Sequence, residues 1–162
     1  KWHPGQDWVW EPGGFGVCDP GINAFSIFTK VMPYPVFVEA SKLTFPANRQ
    51  TPIDVEITFK SGQAHKPVLS GGFNWLEESG EIWTIRFETG TGDIVLLEAG
   101  GRTLRINDTV VLEHGDGEYA AMYDHFADLL ERHETDVDAA PLRLMADVFL
   151  MGARVNGPDF EW

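Results

Sequence analysis

The chain has 162 residues, 43% hydrophobic and 23% charged, the make-up of one globular domain rather than of a disordered segment. Twelve Lys and Arg against 25 Asp and Glu leave a net charge of −13, which argues against a nucleic-acid backbone as partner, and no run approaches the ~20 apolar residues of a membrane span. The single cysteine, Cys18, excludes an internal disulfide framework and Cys-based zinc sites, and suits a reducing compartment such as the cytoplasm.

In chain order, residues 1–16 are rich in Trp, Pro and Gly and show neither period, so an irregular aromatic loop is expected. Lys1 to Trp10 reads as a segment entered partway, which suggests a fragment of a longer protein. A helix over 17–32 follows. Asp19 and Pro20 look like an N-cap with proline at the first helical position. Ile22, Phe25, Ile27, Phe28, Val31 and Met32 cover more than one of its faces, and Pro33 and Pro35 end it.

From 35 to 112 the period becomes two. Ile53, Val55, Ile57 and Phe59 alternate with Asp54, Glu56, Thr58 and Lys60, and Trp83, Ile85 and Phe87 alternate with Thr84, Arg86 and Glu88. Further strands are expected over 36–45, 66–75, 93–99 and 102–106, joined by short Gly-containing turns, hence antiparallel hairpins in one sheet of about six strands. Helical spacing returns over 116–153, first at Tyr119, Met122, Tyr123, Phe126, Leu129 and Leu130, then at Leu142, Leu144, Met145, Val148, Phe149 and Leu150. Helix, sheet, helices in one domain over 1–162 is an α+β arrangement, with helices on one face of a large, open-faced, mostly antiparallel sheet.

Candidate chemistry is sparse. Asp19 and Asn23, four apart, share a helical face, where a carboxylate and an amide can take a proton and hold a hydroxyl. An aspartate before proline is also what a plain N-cap looks like. The Gly13–Gly16 run precedes that helix but lacks a full phosphate-binding pattern. Trp2, Trp8, Trp10, Trp75 and Trp83 can stack on sugars or fill a core. His3 is a candidate acid–base or hydrogen-bonding group. His65, His114, His125 and His133 have no metal-ligand spacing, and no nucleophile elbow occurs.

The string EPGGFGVCDPGINAFSI resembles the opening of the C-terminal domain of the Gfo/Idh/MocA family of NAD(P)-dependent oxidoreductases. WHPGQDWVW before it and VDAAPLRLMADVFLMGAR near the end are similar to the aldose 1-dehydrogenase branch, which acts on L-arabinose or D-galactose. The resemblance runs from Trp2 to about Arg154. It implies a missing N-terminal Rossmann domain that carries the G-x-G-x-x-G turn and the E-K-P lysine. It places the family's D-x-x-x-[HN] motif on Asp19 and Asn23, where many members have His in the second position. It also places an active-site histidine on His3 beside Trp2, and a sugar-contacting tryptophan on Trp83 or, less well, Trp75. The implied activity is oxidation of C1 of an aldopyranose to the aldonolactone, with NAD or NADP and no metal. The implied partners are the sugar, the chain's own Rossmann domain and a second copy packed on the open sheet face. A non-catalytic sugar- or nucleotide-binding regulator of the same fold, or a purely structural dimerisation module, are the alternatives.

Overall fold

The computed structural model describes residues 6–63, 68–78, 82–115 and 117–161. In chain order its elements are α1 (Cys18–Val31), β1 (Val36–Pro46), β2 (Asp54–Ser61), β3 (Leu69–Asn74), β4 (Thr84–Glu88), β5 (Ile94–Glu98), β6 (Thr103–Ile106), β7 (Thr109–Glu113), α2 (Glu118–Arg132), α3 (Ala140–Met151) and β8 (Ala153–Gly157). This is the expected α+β class, with mostly antiparallel strands. Among the described residues the strands number eight rather than six and form two four-stranded sheets, ordered β3-β2-β1-β8 and β4-β5-β6-β7. Where length suggested one domain, the chain packs as two compact units, Lys1–Glu78 with Ala139–Trp162, and Ser79–Asp138.

In the first unit the alternation of β2 decides the sheet. Val55, Ile57 and Phe59 are buried while Glu56, Thr58 and Lys60 face out, as a half-covered strand requires. Antiparallel pairing sets Leu43 opposite Val55 and Val38 opposite Phe59, so β1 adds its apolar residues to the same face. On the outer face Lys42 lies opposite Glu56 and pairs with it at 3.1 Å. The helices cover the apolar face. Phe25 and Phe28 of α1 reach the Phe59 ring at 6.1 and 5.1 Å. Leu144, Met145 and Val148 of α3 are buried, and the Ser41 hydroxyl of β1 donates to the buried Val148 carbonyl at 2.7 Å.

β8 follows α3 directly and departs from the expectation of helical structure up to 153. It pairs parallel to β1 at the sheet edge, from Lys42 beside Ala153 to Pro46 beside Gly157. The long stretch of chain between β1 and β8, ending in α3, is the crossover that parallel pairing needs.

The second unit is a meander, each strand antiparallel to the next, followed by α2. β7 was also not among the expected strands. It is joined to β6 by Asn107 and Asp108, whose φ angles of 48° and 65° are those of a two-residue hairpin turn that matches strand twist. Asn107 locks this turn to the neighbouring one. Its Oδ1 accepts from the Ile94 amide at 2.9 Å, and its Nδ2 donates to Asp93 at 2.8 Å.

Candidate functional site

The start of α1 explains how Asp19 is presented. The cap is Val17, with no side-chain cap bond, so Asp19 is not the N-cap that the Asp-Pro pair suggested. Loop carbonyls do the capping instead. The Cys18 amide donates to Phe15 O at 3.1 Å and the Asp19 amide to Gly16 O at 3.0 Å, while Pro20 has no amide to satisfy. The carboxylate of Asp19 is therefore not consumed by the helix end. Among the described residues, neither Asp19 nor Asn23 makes a side-chain hydrogen bond or ion pair.

Asp19 is half-buried and Asn23 exposed. Four residues of helix separate them by about 6 Å along the axis and leave them on one face. Ser26 and Lys30 continue that stripe, both exposed. The opposite face carries Cys18, Gly21 and Phe25 into the core. Burial pushes the Cys18 thiol up to about 12, so it is inert at neutral pH. The two candidate polar groups thus stand on a helix anchored from behind, and a ligand on the open side can use a carboxylate and an amide together.

The Gly13–Gly16 turn does not offer a phosphate cradle. The amides of Gly14, Gly16 and Val17 donate to Glu11 O, Val9 O and Pro52 O at 3.0, 3.2 and 2.9 Å. With those of Cys18 and Asp19 also spent on loop carbonyls, this stretch has no row of free donors for a dinucleotide. The residues present do not fit a pyrophosphate site. Among the described residues, no group of three or more His, Cys, Asp or Glu is placed to hold a metal ion. No described helix is long and apolar enough to cross a membrane.

Trp75 is 8% exposed and meets Trp10 edge-on, with centroids 5.0 Å apart, so its ring is part of the core of the first unit. Trp83 is half-buried just ahead of β4, in the second unit. Trp2 and His3 lie outside the described residues. Within the first unit, the described residues place Asp19 and Asn23 on one face of α1 and Trp75 in the core. A separate cavity of about 310 Å³ in the first unit, lined among others by Thr44, Asp54, Asn74 and Asp159, includes neither Asp19 nor Asn23. Asp54 at its wall has its carboxyl held above the usual range, first by burial and then by Glu56.

No protein-family model matches the chain. Over 156 residues it is 42% identical to the galactose 1-dehydrogenase of Pseudomonas fluorescens, a match spanning 96% of this chain and 50% of that protein. The crystal structure of D-galactose-1-dehydrogenase from Rhizobium etli matches with a TM-score of 0.91 at 40% identity, over 99% of this chain and 50% of that one. KijD10, a 3-ketoreductase from Actinomadura kijaniata solved with TDP-benzene and NADP, shares the fold with a TM-score of 0.66 at 15% identity, over 91% and 51% of the two chains. The chain spans about half the length of the curated relatives it matches. By sequence and by fold the chain is thus similar to one half of two galactose 1-dehydrogenases, and it shares its fold with one half of KijD10.

Proposed function

We propose that this chain is the substrate-binding half of a nicotinamide-dependent sugar dehydrogenase that oxidises C1 of an aldopyranose, D-galactose or L-arabinose, to the aldonolactone. The observation that carries the reading is the 42% identity to a galactose 1-dehydrogenase over nearly the whole chain. The free, co-facial Asp19 and Asn23 supply groups of the right kind. Oxidation at C1 removes a hydride from carbon and a proton from its hydroxyl, and the new C=O closes the balance. A nicotinamide, NAD or NADP, held by a Rossmann domain outside this chain, supplies the hydride acceptor.

The work of this chain is with the proton and the sugar. Asp19, together with the lysine of the preceding domain, receives the C1 hydroxyl proton. Asn23 has both donors and an acceptor, so it can hold neighbouring sugar hydroxyls and orient C1. His3 adds a hydrogen bond, and Trp2 and Trp83 offer faces for the C–H side of the sugar ring. We place the protein in the cytoplasm, where reducing conditions suit its one buried, unpaired cysteine. We also propose that two copies pack through the outer sheet face, where Lys42, Glu56, Thr58 and Lys60 are exposed. Such a mixed-charge face can be self-complementary across a two-fold axis.

The test is an assay of the full-length, two-domain protein with D-galactose and L-arabinose and each nicotinamide. Lactone formation with at least one sugar is expected, and no turnover by the 162-residue chain alone. Failure of the full-length protein to oxidise any aldopyranose overturns the proposal, and turnover by the isolated chain overturns its assignment as half a site. Light scattering on the full-length protein should give at least twice the monomer mass at micromolar concentration, and a monomer would end the oligomer proposal.

A further inference from the structure

The two residues proposed for catalysis flank Gly21, which sits on the opposite side of α1, buried against β3. A Cβ at Gly21 would stand 2.9 Å from Cε2 and Cζ of Phe73 and 3.0 Å from its Cδ2. Ordinary carbon contacts are about 3.5–4.0 Å, so no residue larger than glycine fits without the helix or the ring moving. The ring has little freedom to give way. Phe25, one turn further along α1, packs against it at 5.3 Å and 67°, and Phe25 is itself wedged edge-on against Phe59. A second close approach lies three residues before Asp19. Gly16 has a φ of 58°, and a Cβ there would run into the Pro52 carbonyl oxygen, which already accepts the Val17 amide. The first turn of α1 is thus held at one end by the loop before β2 and from beneath by the face of Phe73.

We infer that Gly21 and Phe73 form a positioning pair, in which the ring of Phe73 sets the height of α1 over the sheet and so the place of Asp19 and Asn23 relative to the substrate. This rests on the reading of Asp19 and Asn23 as the site. Neither Gly21 nor Phe73 touches substrate. They act through the helix, because Asp19, Gly21 and Asn23 lie within one and a quarter turns of the same rigid rod. Relieving a 2.9 Å contact to ordinary distance lifts that rod by about 0.6–1 Å. A misplacement of this order costs up to about 100-fold in rate when the moved group meets the reacting atoms.

The experiment uses the full-length protein. Gly21→Ala is expected to lower kcat by about 30–100-fold with KM within about threefold. Gly21→Ala with Phe73→Leu, which trades the flat ring for a smaller, rotatable side chain, is expected to regain most of the loss. A merely structural role predicts otherwise: Gly21→Ala would then behave like Leu43→Ala in β1, which lowers stability and leaves kcat near wild type. If Gly21→Ala does not fold, Phe73→Leu alone carries the test, with an expected fall in kcat of about fivefold. An unchanged kcat in Gly21→Ala, or in Phe73→Leu where the former does not fold, overturns the inference, as does a loss that the double variant does not recover. Asp19→Asn separates the two layers of the argument. If it retains full activity, the site reading fails and this inference with it. If it loses activity while Gly21→Ala keeps wild-type kcat, the positioning role alone is wrong.

Discussion

Every fully buried hydrophobic side chain among the described residues, from Val9 to Val148, belongs to the first unit, whereas the described residues of the second unit are all half-buried or exposed. The charge divides as unevenly. Ser79–Asp138 carries fourteen acids against four bases, a net of −10, which leaves −3 for the remainder of the chain. The first unit is held by apolar surface removed from water between a sheet and two helices. The second is held by strand pairing, by turns of fixed geometry and by polar locks such as Asn107 with Asp93. On α2 the large apolar side chains Tyr119, Tyr123 and Phe126 are more than half exposed. The lesson is one of placement: the proposed site helix grows out of the part of the chain whose packing is tightest, as a group that must be held to within a fraction of an ångström requires.

This contrast can be broken by substitution. Leu144→Ala removes a fully buried side chain of α3 and should cost about 2–5 kcal/mol, read as a loss of hydrogen-exchange protection across β1 and β2. Leu104→Ala, half-buried in β6, should cost about 1 kcal/mol and should show only in the second unit. Equal losses at the two positions would mean that the second unit has a core as well formed as the first. Asn107→Ala removes two hydrogen bonds and leaves alanine at a positive φ, so the β6–β7 hairpin should lose about 1–2 kcal/mol by the same measurement. Asn107→Gly, which keeps the backbone geometry and loses only the bonds, should lose less.

The smallest expected effect, and the sharpest in sign, is the response to pH. Asp54 in the first unit has its carboxyl raised, by burial first and then by Glu56. A raised folded-state value means that the folded form binds more protons than the unfolded one. Stability therefore falls as pH rises from the ordinary carboxyl value of 3.8 through the raised one. Asp93 in the second unit is lowered by hydrogen bonds from Asn107 and then Thr91. Its contribution is present above the ordinary value and is lost as pH falls through the lowered one. Carboxyl titration by carbon NMR should find the two on opposite sides of 3.8. Asp54→Asn should stabilise the first unit at neutral pH, and Asn107→Ala should bring Asp93 back towards the ordinary value.

The legible parts of the sequence were those where period and burial agree. Val55, Ile57 and Phe59 announce β2, and the broad apolar surface of residues 22–32 announces a helix packed on several sides. The illegible parts have local reasons. β8, with residues Ala-Arg-Val-Asn-Gly, is an exposed edge with no apolar face, so alternation says nothing about it. The strand β7 is apolar at three successive positions, Val110, Val111 and Leu112, all exposed; its only signal was the Asn107-Asp108 pair, a known hairpin turn type. Asp19 was legible as a candidate and misread as a cap, because the carbonyls that cap α1 come from a loop conformation that composition does not reveal. Trp75 and Trp83 are alike as letters, and only packing separates a core indole from one placed ahead of a strand. Gly21 stands out in the sequence only as a glycine inside a helix, a choice that costs about 1 kcal/mol against alanine; the reason for it is a ring 52 residues away.

The most direct test of the account is a kinetic comparison of Asp19→Ala and Asn23→Ala with the unaltered full-length protein, using its preferred aldopyranose and nicotinamide. Asp19→Ala is expected to lower kcat by about 100-fold or more with KM little changed, the signature of a group that acts on the transferring proton. Asn23→Ala should instead raise KM, as a group that holds sugar hydroxyls would. Wild-type kcat and KM in both variants, with the fold intact, would contradict the claim that the polar face of α1 is the site.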